Sequence, residues 1–164
     1  MPFTPFHMGP GLLIKALLQG SFSLLVFGWA QIVMDLQPLL VLLTGEGHLH
    51  GFSHTLLGAS LLAVVAALSG RYLAGLGLWA LSQGQTVPLS WRVTFISAFI
   101  GTYSHVLLDA LMHADLAPFA PFSLVNPWLS LLSVTQVHWF CLIAGLIGIT
   151  LWPLMAYWLG KRTR

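Results

Sequence analysis

The chain has 164 residues, of which 57% are hydrophobic and only 6% charged, and its mean hydropathy is +0.88. A water-soluble domain carries roughly 25% charged residues, so six basic and four acidic side chains are too few to coat it in water, and its apolar surface must face lipid. A net charge of +2 excludes a polyanion-binding surface and hence a nucleic-acid partner, and a single cysteine, Cys141, excludes a disulfide scaffold.

A membrane-crossing helix needs about 20 largely apolar residues. The first apolar run, Pro10 to Gln19, is too short to cross comfortably unless it extends back to His7, and Gly20-Ser21 separates it from the next. Ser21 to Thr44 predicts a full span with Asp35 inside it. His54 to Ser69 predicts another, complete if it starts near Gly51. Leu73 to Leu81, between Arg71 and the polar stretch Ser82-Gln83-Gly84-Gln85, reads as a separate interfacial helix over 73–81. Trp91 to Met112 is the third full span. Residues 114–135 hold Pro118, Pro121 and Pro127 and predict a surface loop. The last span, Gln136 to Gly160, is closed by Lys161, Arg162 and Arg164. The expectation is an all-α, polytopic membrane bundle of about five helices, four full spans plus a short N-terminal helix, forming one domain over residues 1–164. No internal repeat and no cleavable signal peptide is apparent.

Threaded through five crossings, Lys15, Arg71, Arg92, Lys161, Arg162 and Arg164 all fall toward one side, which the positive-inside rule makes cytoplasmic, with the C-terminus there. His7, Glu46, His48, His50, His113 and Asp115 fall at the opposite face. Asp35, His54, His105, Asp109 and His138 fall in the half of the bilayer nearer to it.

Two of these segments have helical register. His50 and His54 are four residues apart where a helix is expected to start, and His105, Asp109 and His113 step by four along another. An ionised Asp within a span costs about 2.5 to 3.5 kcal/mol on insertion scales, and both Asp35 and Asp109 incur it. A divalent cation offsets that cost, because carboxylate and neutral imidazole are standard ligands for zinc, iron or manganese. His48 and His138 read as helix–helix hydrogen-bonding residues, Glu46 and Asp115 as solvated loop acids, and Cys141 as a small apolar filler. Nucleophile-elbow, phosphate-loop and His-Glu-x-x-His motifs are absent from the sequence.

Taken in order, Thr4-Pro5-Phe6-His7-Met8-Gly9, Asp35-Leu36-Gln37-Pro38, His50-Gly51-Phe52-Ser53-His54-Thr55, His105-x-x-x-Asp109 and Pro118-Phe119-Ala120-Pro121-Phe122 resemble the bacterial membrane-bound metal-dependent hydrolases. These are inner-membrane proteins distantly similar to zinc-dependent phospholipase-C-type enzymes. The resemblance runs from about residue 3 to residue 123, and the order of its motifs is more specific than any one of them. It implies metal ligands at His7, Asp35, His54, His105 and Asp109. One position departs: where the family commonly has His-Arg-Gly-x-Thr-His-Ser, this chain has Leu49 at the first His and His50 at the Arg. Either His50 replaces that ligand through a different register or the chain has one ligand fewer.

The function these features predict is hydrolysis of a lipid or lipid-linked phosphate or acyl ester by a metal-activated water. One or two ions would be held, zinc ahead of iron or manganese, with Asp109 or Asp35 as the natural bridge and His113 as general acid or base. The site would lie toward the outer leaflet of a bacterial inner membrane. A metal-ion or proton carrier, and a non-catalytic membrane protein with a structural metal site, are the rival readings.

Overall fold

A computed structural model describes residues 4–81 and 89–162. The polar stretch Ser82-Gln83-Gly84-Gln85 and the side chains of Lys161, Arg162 and Arg164 lie outside the described residues. The chain is all-helical, with α1 at Thr4–Leu18, α2 at Leu24–Thr44, α3 at Leu56–Leu81, α4 at Trp91–Met112 and α5 at Val134–Arg162. The last four are long and apolar enough to cross a membrane.

Local signals set most boundaries. Ser23 caps α2, its Oγ accepting from the Val26 amide at 3.4 Å, and Gly45, at φ +74°, ends the helix in the left-handed conformation. Ser90 caps α4 in the same way, accepting from Val93 at 3.3 Å.

Three expectations about elements are corrected. α1 begins at Thr4, so His7 lies in its first two turns and not just before it. The separate interfacial helix over 73–81 does not exist: α3 continues without a break from Leu56 to Leu81. Gly70 and Arg71 looked like an end but serve packing. A Cβ at Gly70 would come within 2.9 Å of Trp29 Cδ1. The Arg71 guanidinium lies 4.1 Å over the Trp91 ring, and its Nε donates to the Leu89 carbonyl at 3.1 Å, so the charge is held without interrupting the helix. At 26 residues, α3 is about 39 Å long. Finally, α5 starts at Val134, two residues before the expected Gln136, and the preceding loop ends at Ser133.

α2, α3 and α4 pack on one another, and α1 lies along α5. Contacts from Ser23 to Ser97 and from Gln31 to Gly101 make α2 and α4 parallel, whereas Arg71 against Trp91 and Ser60 against Tyr103 make α3 antiparallel to α4. α1 and α5 run parallel: Phe6 stacks on His138, and Lys15 lies against Trp152. Glycines permit that close pairing. A Cβ at Gly9 would overlap the Cys141 carbonyl, and one at Gly148 would overlap the Leu12 backbone.

On α3 the buried face is built from small residues and the exposed face from large ones. α3 buries Ala59, Ala63, Ala66, Ala67 and Ala74 while exposing Leu57, Leu61, Val65 and Leu68. Such a surface suits lipid, where close packing of small residues, and not apolar burial, holds helices together. Glycine and alanine contacts thereby align the ends of α1, α2, α4 and α5 and the loop before α3 at one end of the bundle. Across that end lies the loop after α4. Its Pro118 carbonyl accepts from the Leu56 amide at 2.8 Å, and Asn126 Nδ2 donates to the Ala110 carbonyl at 2.8 Å.

Candidate metal centre

Five side chains from four segments converge near that end of the bundle. His7 comes from α1, Asp35 from α2, His54 from a 3-10 turn over Phe52–His54, and His105 and Asp109 from one face of α4. His7, His54, His105 and Asp109 are all 3% exposed or less, and Asp35 is partly buried. His105 Nε2 lies 3.3 Å from Asp109 Oδ2 and 3.3 Å from Asp35 Oδ1. His54 Nε2 lies 3.5 Å from Asp109 Oδ2, and His7 Nε2 lies 3.6 Å from Asp109 Oδ1.

These spacings are long for hydrogen bonds to a carboxylate, which run at about 2.7 to 2.9 Å. Nε2 of His7, His54 and His105 and Oδ1 of Asp109 are buried with no hydrogen-bond partner among the described residues. Leaving each such group unpaired costs about 1 to 3 kcal/mol. The spacings do match the edge of a tetrahedron around an ion bound at about 2.0 to 2.1 Å, which is about 3.4 Å. The residues therefore fit a divalent cation. Two triads of this set, His7 with His105 and Asp109 and Asp35 with His54 and His105, bring one ligand atom from each member within 4.8 Å of the others.

Residues that the sequence reading missed orient the imidazoles. Gln31 Oε1 accepts from His105 Nδ1 at 2.8 Å, which directs the Nε2 lone pair into the cluster. The His7 Nδ1 contact with His105 Nδ1 is 3.4 Å, too long to compete with it. Ser53 Oγ lies 2.9 Å from His54 Nδ1 and plays the same part there. Gln37 straps this loop to α2, its Oε1 accepting from the Ser53 amide at 3.0 Å and its Nε2 donating to the His48 carbonyl at 3.2 Å. Gln31 carried a signal: an amide four residues before Asp35 shares its helix face in an otherwise apolar run. Ser53 carried only its place beside His54.

His50 and His54 do not share a helix face as expected, because Gly47, Gly51 and the 3-10 turn keep residues 45–55 out of regular helix. The fold brings them together nonetheless, with ring centroids 5.1 Å apart. His113, which caps α4, lies 4.2 Å from the His50 ring, and burial pushes its imidazole below the ordinary histidine value. Asp115 is the exposed loop acid expected, its side chain 58% exposed, and its Oδ2 also lies 2.9 Å from His50 Nδ1. Burial alone would raise the Asp115 carboxyl, but the bond to His50 outweighs it and holds the group below the usual carboxylate value. Glu46 and His48 are exposed and stand apart from the cluster. His138 was expected to hydrogen-bond between helices. It stacks on Phe6 at 4.9 Å instead, and its Nε2 has no partner among the described residues. Cys141 is the buried apolar filler expected, on α5 with its backbone against Gly9 of α1 and clustered with Leu108 and Val137.

An apolar groove of about 630 Å³ runs between α1, α2 and α3, lined by Met8, Leu25, Gly28, Ile32, Leu73 and Gly77 among others. Its polar residue is Gln31, the amide that orients His105. Comparison of the chain with protein-family models, with curated proteins and with solved structures finds no match.

Proposed function

We propose that the protein is a membrane-embedded metal-dependent hydrolase that cleaves a phosphate or acyl ester of a lipid or lipid-linked substrate. The observation that carries the reading is the convergence on the Asp109 carboxylate of three buried imidazole Nε2 atoms that make no hydrogen bond among the described residues. His7, Asp35, His54, His105 and Asp109 hold the ion in this reading, and the mixed nitrogen and oxygen donors without thiolate assign zinc ahead of iron and manganese. A bound ion of this kind supplies Lewis acidity and an acidified water near neutral pH.

The chain's own residues do the rest. Gln31 and Ser53 hold the His105 and His54 rings with Nε2 inward, and the loop after α4 screens the centre from bulk water at the bundle end. The groove, joined to the centre through Gln31, is where an acyl or prenyl chain lies against α2 and α3 in this reading. The sorted charges support a bacterial inner membrane, with the C-terminus cytoplasmic and the centre toward the outer leaflet, as does the motif order.

A carrier would need a polar path toward the Arg71 and Arg92 end. The buried hydroxyls on that route, Thr94, Ser97 and Thr102, donate to carbonyls of α4 and its cap, and the α2 residues packed on α4 there, Val26 and Ala30 against Ala98 and Gly101, are apolar. Proteoliposomes assayed for hydrolysis of phospholipids and polyprenyl phosphates and, in parallel, for metal flux separate the two classes. Zinc-dependent hydrolysis abolished by His54→Ala and Asp109→Ala is the expected result. Flux without hydrolysis overturns the reading.

A further inference from the structure

We infer that the protein holds a second divalent cation at the mouth of the centre, bound by His50 and His113 and sharing the Asp109 carboxylate with the inner ion. This inference rests on the inner site proposed above. Ligand atoms of His50, Asp109 and His113 lie within 4.8 Å of one another, a set that adds two histidines which the inner ion does not use.

Three observations on separate residues point the same way. First, Asp109 Oδ2 is directed at His54 and His105, while Oδ1 is buried, lies 3.6 Å from His7 Nε2 and makes no hydrogen bond among the described residues. A carboxylate with two oxygens in different directions is the natural bridge between two cations. Second, His113 Nε2 is likewise buried and unpartnered. Third, the His50 side chain is only 5% exposed, and its Nδ1 is bonded to Asp115 Oδ2 at 2.9 Å. A carboxylate that takes one imidazole nitrogen and leaves the other for a ligand is the outer support that metal-binding histidines ordinarily have. The two rings lie 4.2 Å apart at 30°, near enough for one small cation to face both nitrogens.

The assignment changes two earlier readings. His113, expected as a general acid or base, becomes a ligand. His50, standing where the resembled family has Arg, is a ligand to a different ion from the one His54 serves, which accounts for two histidines so near in sequence being supported by different partners, Asp115 and Ser53.

The test is metal content of the full chain purified in detergent and dialysed against zinc, with manganese-loaded protein examined by electron paramagnetic resonance. Two ions per wild-type chain are expected, with a spin-coupled manganese spectrum. His113→Ala and His50→Ala should each keep one ion and show an uncoupled spectrum. Asp115→Asn leaves all three ligands in place and should weaken only the second ion, by about 10- to 100-fold. It serves where either alanine variant fails to fold. One ion in the wild type, removed by His54→Ala and untouched by His113→Ala, overturns the second site and leaves the inner centre standing. Two ions retained in His113→Ala, His50→Ala and Asp115→Asn at wild-type affinity overturn the ligand assignment. No bound ion in the wild type removes both sites.

Discussion

Gln31 Oε1 and His105 Nδ1 meet at 2.8 Å across the interface of two parallel helices, and this one bond links the lining of the apolar groove to the cluster of metal-fitting side chains. It fixes which nitrogen of His105 carries the proton, and so which is free to bind.

Gln31→Leu keeps the volume and removes the acceptor. Zinc affinity, measured by competition with a chelating dye, should fall about 10- to 100-fold, while Gln31→Glu, which retains an acceptor oxygen, should lose much less. Equal affinities for wild type and Gln31→Leu would show that the His105 tautomer is set elsewhere.

Metal should stabilise the folded chain through Asp109. At a zinc concentration about 100 times the dissociation constant, unfolding of the wild type in detergent should cost about 2.7 kcal/mol more than in chelator. Asp109→Asn should abolish that difference. A zinc-dependent shift in melting temperature that survives the substitution would place the ion away from Asp109.

Acid should release the metal, because imidazole binds as the neutral base and protonation competes. Occupancy measured by dialysis should fall as the pH drops below about 6.5, the ordinary histidine value. Burial lowers the proton affinity of His113, so that ring stays neutral to lower pH than an exposed histidine. Its ring protons, followed by NMR in the chelated protein, should titrate below the ordinary histidine value.

The pairing of α1 with α5 should be intolerant of bulk. A Cβ at Gly9 overlaps the Cys141 carbonyl, so Gly9→Val should cost about 1 to 3 kcal/mol and, by shifting α1, weaken zinc binding through His7. Gly75, which has nothing within 4 Å of a Cβ, is the control. Gly75→Ala should leave both stability and zinc affinity near wild type.

If the groove seats a substrate chain, Gly77→Phe should fill it without backbone clash, since the nearest atom to a Cβ there is Leu25 Cδ1 at 3.6 Å. Zinc content should be unchanged. Turnover of long-chain substrates should fall about tenfold relative to short-chain ones, the equivalent of roughly two methylenes no longer buried. Equal loss for both lengths would put the chain elsewhere.

Much of this architecture is written locally. Low charge made lipid the solvent, and apolar runs broken by Gly20-Ser21, the polar stretch Ser82-Gln83-Gly84-Gln85 and the prolines of the loop after α4 located four spans, Trp91–Met112 to the residue. Helical register placed His105 and Asp109 on one face without reference to any neighbour. The errors arose where a local signal was answered by a distant partner. Arg71 looked like a helix end until Trp91 and the Leu89 carbonyl supplied a place for its charge. His138 looked like a helix–helix hydrogen-bonding residue until Phe6 of α1 stacked on it.

By itself, then, the sequence determined that this chain is a helical membrane bundle whose histidines and acids gather at one end, because hydropathy, caps and helical period are properties of contiguous residues. Which imidazoles face one carboxylate, which amide and hydroxyl orient them, and that His50 and His54 meet without sharing a helix were decided only by tertiary structure. Those relations depend on how α1, α2 and α4 rotate against one another. That rotation is set by glycine and alanine contacts between helices, at Gly9 against Cys141 and Gly101 against Ala30, which carry no period that a single sequence reveals.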